Sequence, residues 1–297
     1  KSYGEKKQKI LAVDNISFSV ENGEIFGLIG PDGSGKTSIF RMLTTLIHPD
    51  SGSAEIEGLD VVKDYKKIRK ILGYMPGKFS LYQDLTVEEN LEFFASVFNT
   101  SIQENYDLIK DIYQQIEPFK DRKAGKLSGG MKQKLALSCA LIHKPKVLFL
   151  DEPTTGVDPV SRKEFWEMLR RLKQQGITIV VATPYMDEAT LCDRVALMQN
   201  GKILKIDTPQ NICNSFPEDL YEVKTENIPA LIKILKEYET TKNTYAFGEF
   251  VHMVIKKEKD FKKETLEKFL QEKRFNKIEI NKIEATIEDS FILLLSQ

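Results

Sequence analysis

The sequence predicts an α/β fold through about residue 215, followed by a smaller α+β unit. Strand-like and helix-like segments alternate along the first part. Its short runs Val147–Leu150 and Ile177–Ala182 contain almost no polar residues, as is typical of parallel strands covered on both faces. After Pro217 the composition shifts towards Lys and Glu, which indicates a second unit. We therefore predict one domain over residues 1–217 and another over residues 218–297.

Composition limits the classes of protein that need to be considered. A chain of 297 residues is long enough for one large domain or two ordinary ones. A net charge of −1 argues against a general nucleic-acid binder, which needs a clustered basic surface. No apolar run approaches the ~18 residues of a membrane helix. Cys139, Cys192 and Cys213 show no paired spacing and are interpreted as reduced thiols of a cytosolic protein. The chain does not begin with Met, and we expect its natural start upstream.

The elements of the first part can be predicted from periodicity. Ile16–Val20 alternates apolar and polar residues like a half-buried strand. A helical pattern between about residues 85 and 143 predicts a helical subdomain inserted between two halves of the sheet. The other predicted elements are the strands Ile25–Ile29 and Ile71–Met75 and the helices Ser38–Leu46, Val87–Val97 and Ser128–Ile142.

The second part has the order β-α-β-β-α-β. This is the split-βαβ plan of ferredoxin-like domains. The predicted elements are strand Leu220–Lys224, helix Ile228–Tyr238, strands Thr244–Ala246 and Phe250–Ile255 around a turn at Gly248, helix Lys263–Glu272 and strand Lys277–Ile283.

Residues Gly30–Thr37 match the phosphate-loop pattern G-x-x-x-x-G-K-[ST], between a buried strand and a helical pattern. The glycines let backbone N–H groups point at phosphate oxygens, and the helix adds the positive end of its dipole. Lys36 is the candidate for the β- and γ-phosphates, and the Thr37 hydroxyl for Mg²⁺. The candidate ATP-binding residues in and after this loop are Gly30, Pro31, Asp32, Gly33, Ser34, Gly35, Lys36, Thr37 and Ser38.

Two carboxylates follow the apolar strand that begins at Val147. At the carboxyl end of a parallel strand, Asp151 and Glu152 would face a nucleotide crevice. Asp151 suits contact with Mg²⁺, and Glu152 suits the role of general base for the attacking water. Alone, this pattern could be a solvated acidic turn, but the phosphate loop favours a catalytic interpretation.

The segment Leu127–Met131 opens a helix with Ser128 as a natural N-cap and two glycines that let a phosphate approach. On its own it would be a weak signal. Together with the phosphate loop, Asp151-Glu152 and Asp158, in this order and spacing, it resembles the signature of the ATP-binding cassette (ABC) family of P-loop NTPases. The resemblance covers residues 1 to about 215.

The resemblance implies that two such domains meet head to tail. Each ATP then lies between the phosphate loop of one domain and the signature of the other, with the Asp158 loop crossing to the opposite site. The signature side consists of Ser128, Gly129, Gly130, Met131 and Asp158. By the same resemblance, Tyr3 falls where an aromatic ring stacks on adenine, although it could also be an ordinary terminal tyrosine. Phe79–Thr86 falls where the family contacts its membrane permease.

The sequence departs from the family at two positions. A glutamine that touches Mg²⁺ and water is expected after the strand Ile71–Met75, and the chain has Gly77. A histidine that holds the γ-phosphate is expected after Thr183, and the chain has Pro184, without a ring nitrogen or a backbone N–H. The chain's own site is therefore predicted to bind ATP with Mg²⁺ and to hydrolyse it slowly. The alternative is normal hydrolysis by other groups, because Glu152 is kept.

These features predict the ATP-binding, ATP-hydrolysing subunit of an exporter on the inner face of the cell membrane. Its expected partners are a permease and a second cassette, which is a different chain, a cassette fused downstream or a second copy of this chain. No nucleic acid is expected as a partner. Gly73–Pro76 is similar to the first cassette of tandem drug exporters, and Ala285–Phe291 to the ending of cassettes that serve type-2 permeases. The alternatives are a regulatory cassette that does not hydrolyse ATP and a soluble cassette without a transporter.

Overall fold

The computed structural model describes residues 1–4, 9–256 and 261–295. The chain divides into two compact units, Lys1–Pro209 and Gln210–Gln297. The change of composition predicts a boundary after residue 217, whereas the units divide after Pro209. The predicted α/β class, with a smaller α+β unit at the carboxyl end, is confirmed.

The strands of the first unit are β1 (Ser2–Tyr3), β2 (Ile10–Leu11), β3 (Ile25–Ile29), β4 (Glu55–Ile56), β5 (Leu59–Asp60), β6 (Leu72–Met75), β7 (Val147–Asp151), β8 (Thr178–Thr183), β9 (Arg194–Gln199) and β10 (Lys202–Asp207). Its helices are α1 (Lys36–Leu43), α2 (Tyr65–Ile71), α3 (Val87–Val97), α4 (Tyr106–Tyr113), α5 (Gly129–Leu141), α6 (Pro159–Gln174) and α7 (Met186–Ala189). Helix α8 (Pro209–Asn214) spans the division between the units.

A six-stranded sheet forms the centre of the first unit, in the order β10-β9-β3-β8-β7-β6. All neighbours are parallel except the edge strand β10, which runs antiparallel to β9. Strands β3, β7 and β8 are buried along their whole length, as their apolar sequences predict. Because parallel strands end at one edge, the segments after these three strands meet there.

Two predictions for the amino-terminal part were wrong in detail. Residues 16–20 form no strand, although Ile16, Phe18 and Val20 pack against the core and the Phe18 ring stacks on Phe26. Alternation shows only that one face is buried, and these residues bury that face without pairing to a neighbouring strand. Helix α1 begins at Lys36 instead of Ser38, since the loop closes directly into the helix.

Helices α3, α4 and α5 form the helical region between β6 and β7. Helix α3 begins with a capping box, in which the Glu89 N–H donates to Thr86 Oγ1 at 3.1 Å and the Thr86 N–H donates to Glu89 Oε2 at 2.7 Å. Helix α5 begins after Ser128, whose Oγ accepts from the Met131 N–H at 3.3 Å. Local capping therefore fixes where these two helices start.

The second unit contains the strands β11 (Leu220–Lys224), β12 (Thr241–Phe247), β13 (Phe250–Ile255) and β14 (Glu279–Ile283), and the helices α9 (Ile228–Glu237), α10 (Lys263–Glu272) and α11 (Ile287–Leu295). Its antiparallel sheet has the order β12-β13-β11-β14, which confirms the predicted ferredoxin-like plan. Helix α11 was not predicted. No helix formed by the described residues is long and apolar enough to cross a membrane.

Candidate functional site

The phosphate loop joins β3 to α1 and depends on three glycines. A Cβ atom at Gly30 would lie 2.3 Å from the Met198 carbonyl oxygen, so the loop tolerates no side chain there. Gly35 has a φ of 105°, and Gly33 a φ of 78°. L-residues rarely adopt such angles. Gly30 is thus required because the backbone of Met198 passes close to it. Gly33 and Gly35 are required because the turn needs positive φ angles.

Lys36 is buried at the start of α1. Its Nζ donates to the carbonyl oxygens of Gly30 at 2.7 Å and Pro31 at 2.9 Å, which holds the ammonium group against the loop. Burial lowers its pKa, while the nearby carboxylates of Glu152, Asp32 and Asp151 act in the opposite direction. A desolvated cation with only carbonyl partners is well suited to meet phosphate oxygens.

Thr37 and Asp151 lie together at the carboxyl edge of the sheet. The Thr37 hydroxyl donates to Asp151 Oδ1 at 3.2 Å. Burial raises the pKa of the Asp151 carboxyl, the Thr37 hydrogen bond lowers it, and the neighbouring Glu152 charge raises it. The hydroxyl of Ser34 is buried in the loop and has no hydrogen-bond partner within the described ranges. Hydroxyl and carboxylate oxygens are the groups that Mg²⁺ binds, and a buried hydroxyl without a partner can donate to a phosphate oxygen.

Glu152 follows Asp151 in a left-handed backbone conformation, with a φ of 50°. Its N–H donates to the Ala182 carbonyl at 2.7 Å, and the Thr155 hydroxyl donates to its Oε2 at 3.4 Å. Within the described part of the chain, no group of three or more His, Cys, Asp and Glu side chains could hold a metal ion. Thr37 and Asp151 offer a hydroxyl and a carboxylate, and Mg²⁺ prefers such oxygen ligands.

Gly77 and Pro184 lie at the same edge. A Cβ atom at Gly77 would lie 3.0 Å from the Asp151 carbonyl oxygen and 3.6 Å from Glu152 Cβ. Pro184 follows the end of β8, next to Thr183, whose carbonyl accepts from the Gly30 N–H at 3.3 Å. The two positions that depart from the family pattern are thus adjacent to the two carboxylates and to the phosphate loop, respectively.

On the signature side, the start of α5 lies close to residues 156–161. A Cβ atom at Gly129 would lie 3.4 Å from the Gly156 carbonyl oxygen, and one at Gly130 would lie 3.1 Å from Ser161 Oγ. Asp158 caps α6 by accepting from the N–H groups of Val160 and Ser161, and these hydrogen bonds lower its pKa. The fold therefore brings the start of α5 and the Asp158 loop together.

Tyr3 lies in β1 and is paired with Ile10 of the antiparallel strand β2. Its side chain is 37% exposed, and Lys1 Nζ lies 5.8 Å from its ring centre. The ring is therefore available on the surface of the first unit for stacking.

Sequence reasoning missed two buried polar residues, one in the helical region and one beside the end of β8. Asn90 is fully buried, and its side-chain amide accepts from the Tyr82 N–H and donates to the carbonyls of Tyr82 and Thr86. Glu188 is also buried and accepts from two threonine hydroxyls. The sequence T-V-E-E could have indicated the capping box before Asn90. No sequence pattern indicates the long-range hydrogen bonds of Glu188.

Comparison with known proteins agrees with this geometry. The sequence pattern of the family described as ABC transporter matches residues 13–155. The chain is 38% identical over 289 residues to the probable multidrug ABC transporter ATP-binding protein YbhF of Escherichia coli (strain K12). That match covers 96% of this chain and 49% of YbhF. The chain thus spans about half the length of that relative.

The chain is also 41% identical over 218 residues to the Nod factor export ATP-binding protein I of Burkholderia lata, covering 72% of this chain and 70% of that protein. Its fold is similar to the dimeric post-hydrolysis structure of the ATP-binding cassette MJ0796 bound to ADP and Pi. The TM-score is 0.64 at 25% identity, covering 70% of this chain and 95% of that one. The chain belongs to the ABC transporter family, whose cassettes bind and hydrolyse ATP.

Proposed function

We propose that this chain is the ATP-binding subunit of an exporter and couples ATP binding and hydrolysis to a membrane permease. The observation that carries the proposal is the meeting of Lys36, Thr37, Asp151 and Glu152 at one edge of the sheet. The names of its relatives, a multidrug ABC transporter protein and a Nod factor export protein, support transport out of the cell.

In this proposal Gly30–Ser38 holds the phosphates of ATP, and Tyr3 stacks on the base. Thr37 and Asp151 hold Mg²⁺, which would neutralise charge on the phosphates. Glu152 orients and deprotonates the attacking water. Ser128–Met131 and Asp158 complete the site of a second cassette, and the chain resides on the inner face of the membrane through its permease.

The chain's own site lacks two groups that would assist hydrolysis. Gly77 offers no side chain beside Asp151, and Pro184 offers no hydrogen bond to the γ-phosphate. Removing one such transition-state hydrogen bond costs about 10²–10³ in rate. We therefore propose that this site binds MgATP and hydrolyses it slowly, while the signature of this chain serves a competent partner cassette, separate or fused.

The proposed permease contact, Phe79–Thr86, is joined to the signature through the backbone. The Gly125 N–H donates to the Gln83 carbonyl at 2.9 Å, and the Ala124 N–H donates to the Leu85 carbonyl at 2.8 Å. Residues 124–126 form a single helical turn that leads into Ser128. Movement of the permease at this loop would therefore reach the signature over a few residues.

The second unit, with its own ferredoxin-like sheet, is proposed to be an accessory domain.

Two other functions compete with the exporter proposal for the whole chain. A cassette working without a transporter would be revealed by binding to nucleic acid at physiological salt. A purely regulatory cassette would leave the ATPase activity of its partner pair unchanged when Glu152 is replaced by Gln.

The experiment that tests slow hydrolysis is a comparison of Pro184→His with Pro184→Ala. Both restore a backbone N–H, but only histidine provides an imidazole for the γ-phosphate. We expect Pro184→His to raise ATP turnover by about tenfold or more, and Pro184→Ala to leave it unchanged. Gly77→Gln is added in a second step, because its Cβ atom would press on the Asp151 carbonyl. Wild-type turnover at ~10 s⁻¹, an ordinary enzyme value, would refute the proposal.

A further inference from the structure

Glu188 is a buried carboxylate that the proposed ATP site does not use. It lies in α7, and its residue is 1% exposed. Its Oε1 accepts from the Thr154 hydroxyl at 2.6 Å, and its Oε2 accepts from the Thr183 hydroxyl at 2.7 Å. Thr154 follows β7 and Thr183 ends β8. The two oxygens of one carboxylate therefore hold the ends of two neighbouring strands.

Arg162 adds helix α6 to the same cluster. Its Nε lies 3.6 Å from Glu188 Oε1, and its guanidinium lies 4.4 Å from the ring centre of Tyr185. The N–H of Arg162 donates to the Asp158 carbonyl in the first turn of α6. The guanidinium, which also donates to Asp187 Oδ2 at 3.4 Å, thus places the helix that Asp158 caps beside Glu188.

This cluster closes a continuous path from the phosphate loop to the Asp158 loop. The Gly30 N–H donates to the Thr183 carbonyl at 3.3 Å, and Thr183 is tied to Glu188. Glu188 is tied to Thr154, whose carbonyl accepts from the Val157 N–H at 3.1 Å. A buried carboxylate that loses its hydrogen bonds carries a large desolvation cost. The two strand ends therefore cannot shift independently.

We propose that Glu188 is a positioning residue that couples ATP binding at this chain's phosphate loop to the conformation of residues 154–161. The inference rests on the proposed function, because that function assigns ATP to Gly30–Thr37 and directs Asp158 to the partner's site. Through this link, each ATP site would respond to occupation of the other. A coupling of about tenfold falls within the usual range for linked sites.

The test is hydrogen exchange of the full chain with and without MgATP. In the wild type, ATP should slow exchange in residues 30–38 and, by about tenfold, in residues 154–161. Glu188→Ala should keep the first effect and lose the second. Glu24→Ala is the matched control, because Glu24 is also a buried carboxylate paired with an arginine, Arg194. It lies just before β3, at the amino end of this strand, whereas the phosphate loop follows the carboxyl end. It should keep both effects.

If Glu188→Ala does not fold, Thr154→Val removes a single hydroxyl at nearly constant volume and should weaken the effect in residues 154–161. The proposal is overturned if ATP slows exchange in residues 154–161 of the Glu188 and Thr154 variants as much as in the wild type. It is also overturned if ATP slows exchange in residues 30–38 of the wild type but not in residues 154–161. If residues 30–38 of the wild type show no response to ATP, the proposed function itself fails.

Discussion

At the scale of single residues, the site contains a carboxyl group that is buried in the protein interior. Asp151 is 3% exposed and has a raised pKa, chiefly because of burial. Its ionised form is therefore less favourable in the folded protein than in the unfolded chain. This cost to stability is absent at a pH below the ordinary pKa of Asp and is fully present once the pH exceeds the raised value.

Asp151→Asn should therefore stabilise the nucleotide-free protein at pH 7. We expect the melting temperature to rise, because the cost of burying the ionised carboxyl is removed. The rise should shrink as the pH falls through the raised pKa of Asp151 and disappear below the ordinary pKa of Asp. The same variant should bind MgATP more weakly, because a magnesium ligand is lost. Calorimetry at several pH values measures the melting temperature. Titration with ATP, with and without Mg²⁺, measures the affinity. A lower melting temperature at pH 7 would contradict the expectation.

At the scale of elements, Asn90 shapes the loop that is proposed to contact the permease. It is an interior residue of α3, and its side-chain amide accepts from the Tyr82 N–H and donates to the carbonyls of Tyr82 and Thr86. These hydrogen bonds add to the backbone contacts that hold residues 82–86. The neighbouring Tyr82 ring is half-exposed and packs edge-on against Phe93 at 4.9 Å, so an aromatic surface is held in place by the same contacts.

Asn90→Ala should destabilise the fold by about 1–3 kcal/mol, because buried backbone groups lose their partners. It should also speed hydrogen exchange in residues 82–86 while leaving ATP affinity unchanged. Asn105→Ala is the matched control, since this buried amide donates to the Ile142 carbonyl and to Thr100 Oγ1 instead. The control should lose stability without loosening residues 82–86. Equal exchange in both variants would show that Asn90 has no special role in the loop.

The elements also show what sequence could and could not predict. Strands β3 and β7 and helix α3 were located because their patterns are local: apolar runs for the two strands, and apolar residues near one face for the helix. The strand predicted at residues 16–20 was wrong because hydrogen-bond pairing depends on a neighbour that alternation does not reveal. The cluster around Glu188 joins residues 34 positions apart, and only the folded chain shows that they meet. Local chemistry was predictable, and long-range polar contacts were not.

At the scale of the whole molecule, the signature side predicts an ATP-dependent pair of cassettes. Glu152→Gln should retain bound ATP and form a dimer with MgATP, detectable by light scattering after gel filtration. Adding Ser128→Arg should abolish the dimer without changing ATP affinity, because that side chain would fill the approach to the partner's phosphate. Ser53→Arg, at an exposed turn, serves as the control and should dimerise. A dimer that survives Ser128→Arg would refute the proposed arrangement.

The left-handed backbone at Glu152 has a consequence for the whole site. A non-glycine residue at such a φ costs about 1–2 kcal/mol, and asparagine or glycine would occupy the position more easily. Folding alone therefore favours a different residue at position 152. We infer that its carboxylate is retained for its chemistry, even though Gly77 and Pro184 offer no side-chain assistance beside it. A strained carboxylate at this position favours an enzyme with a slow step over a nucleotide sensor that does not hydrolyse ATP.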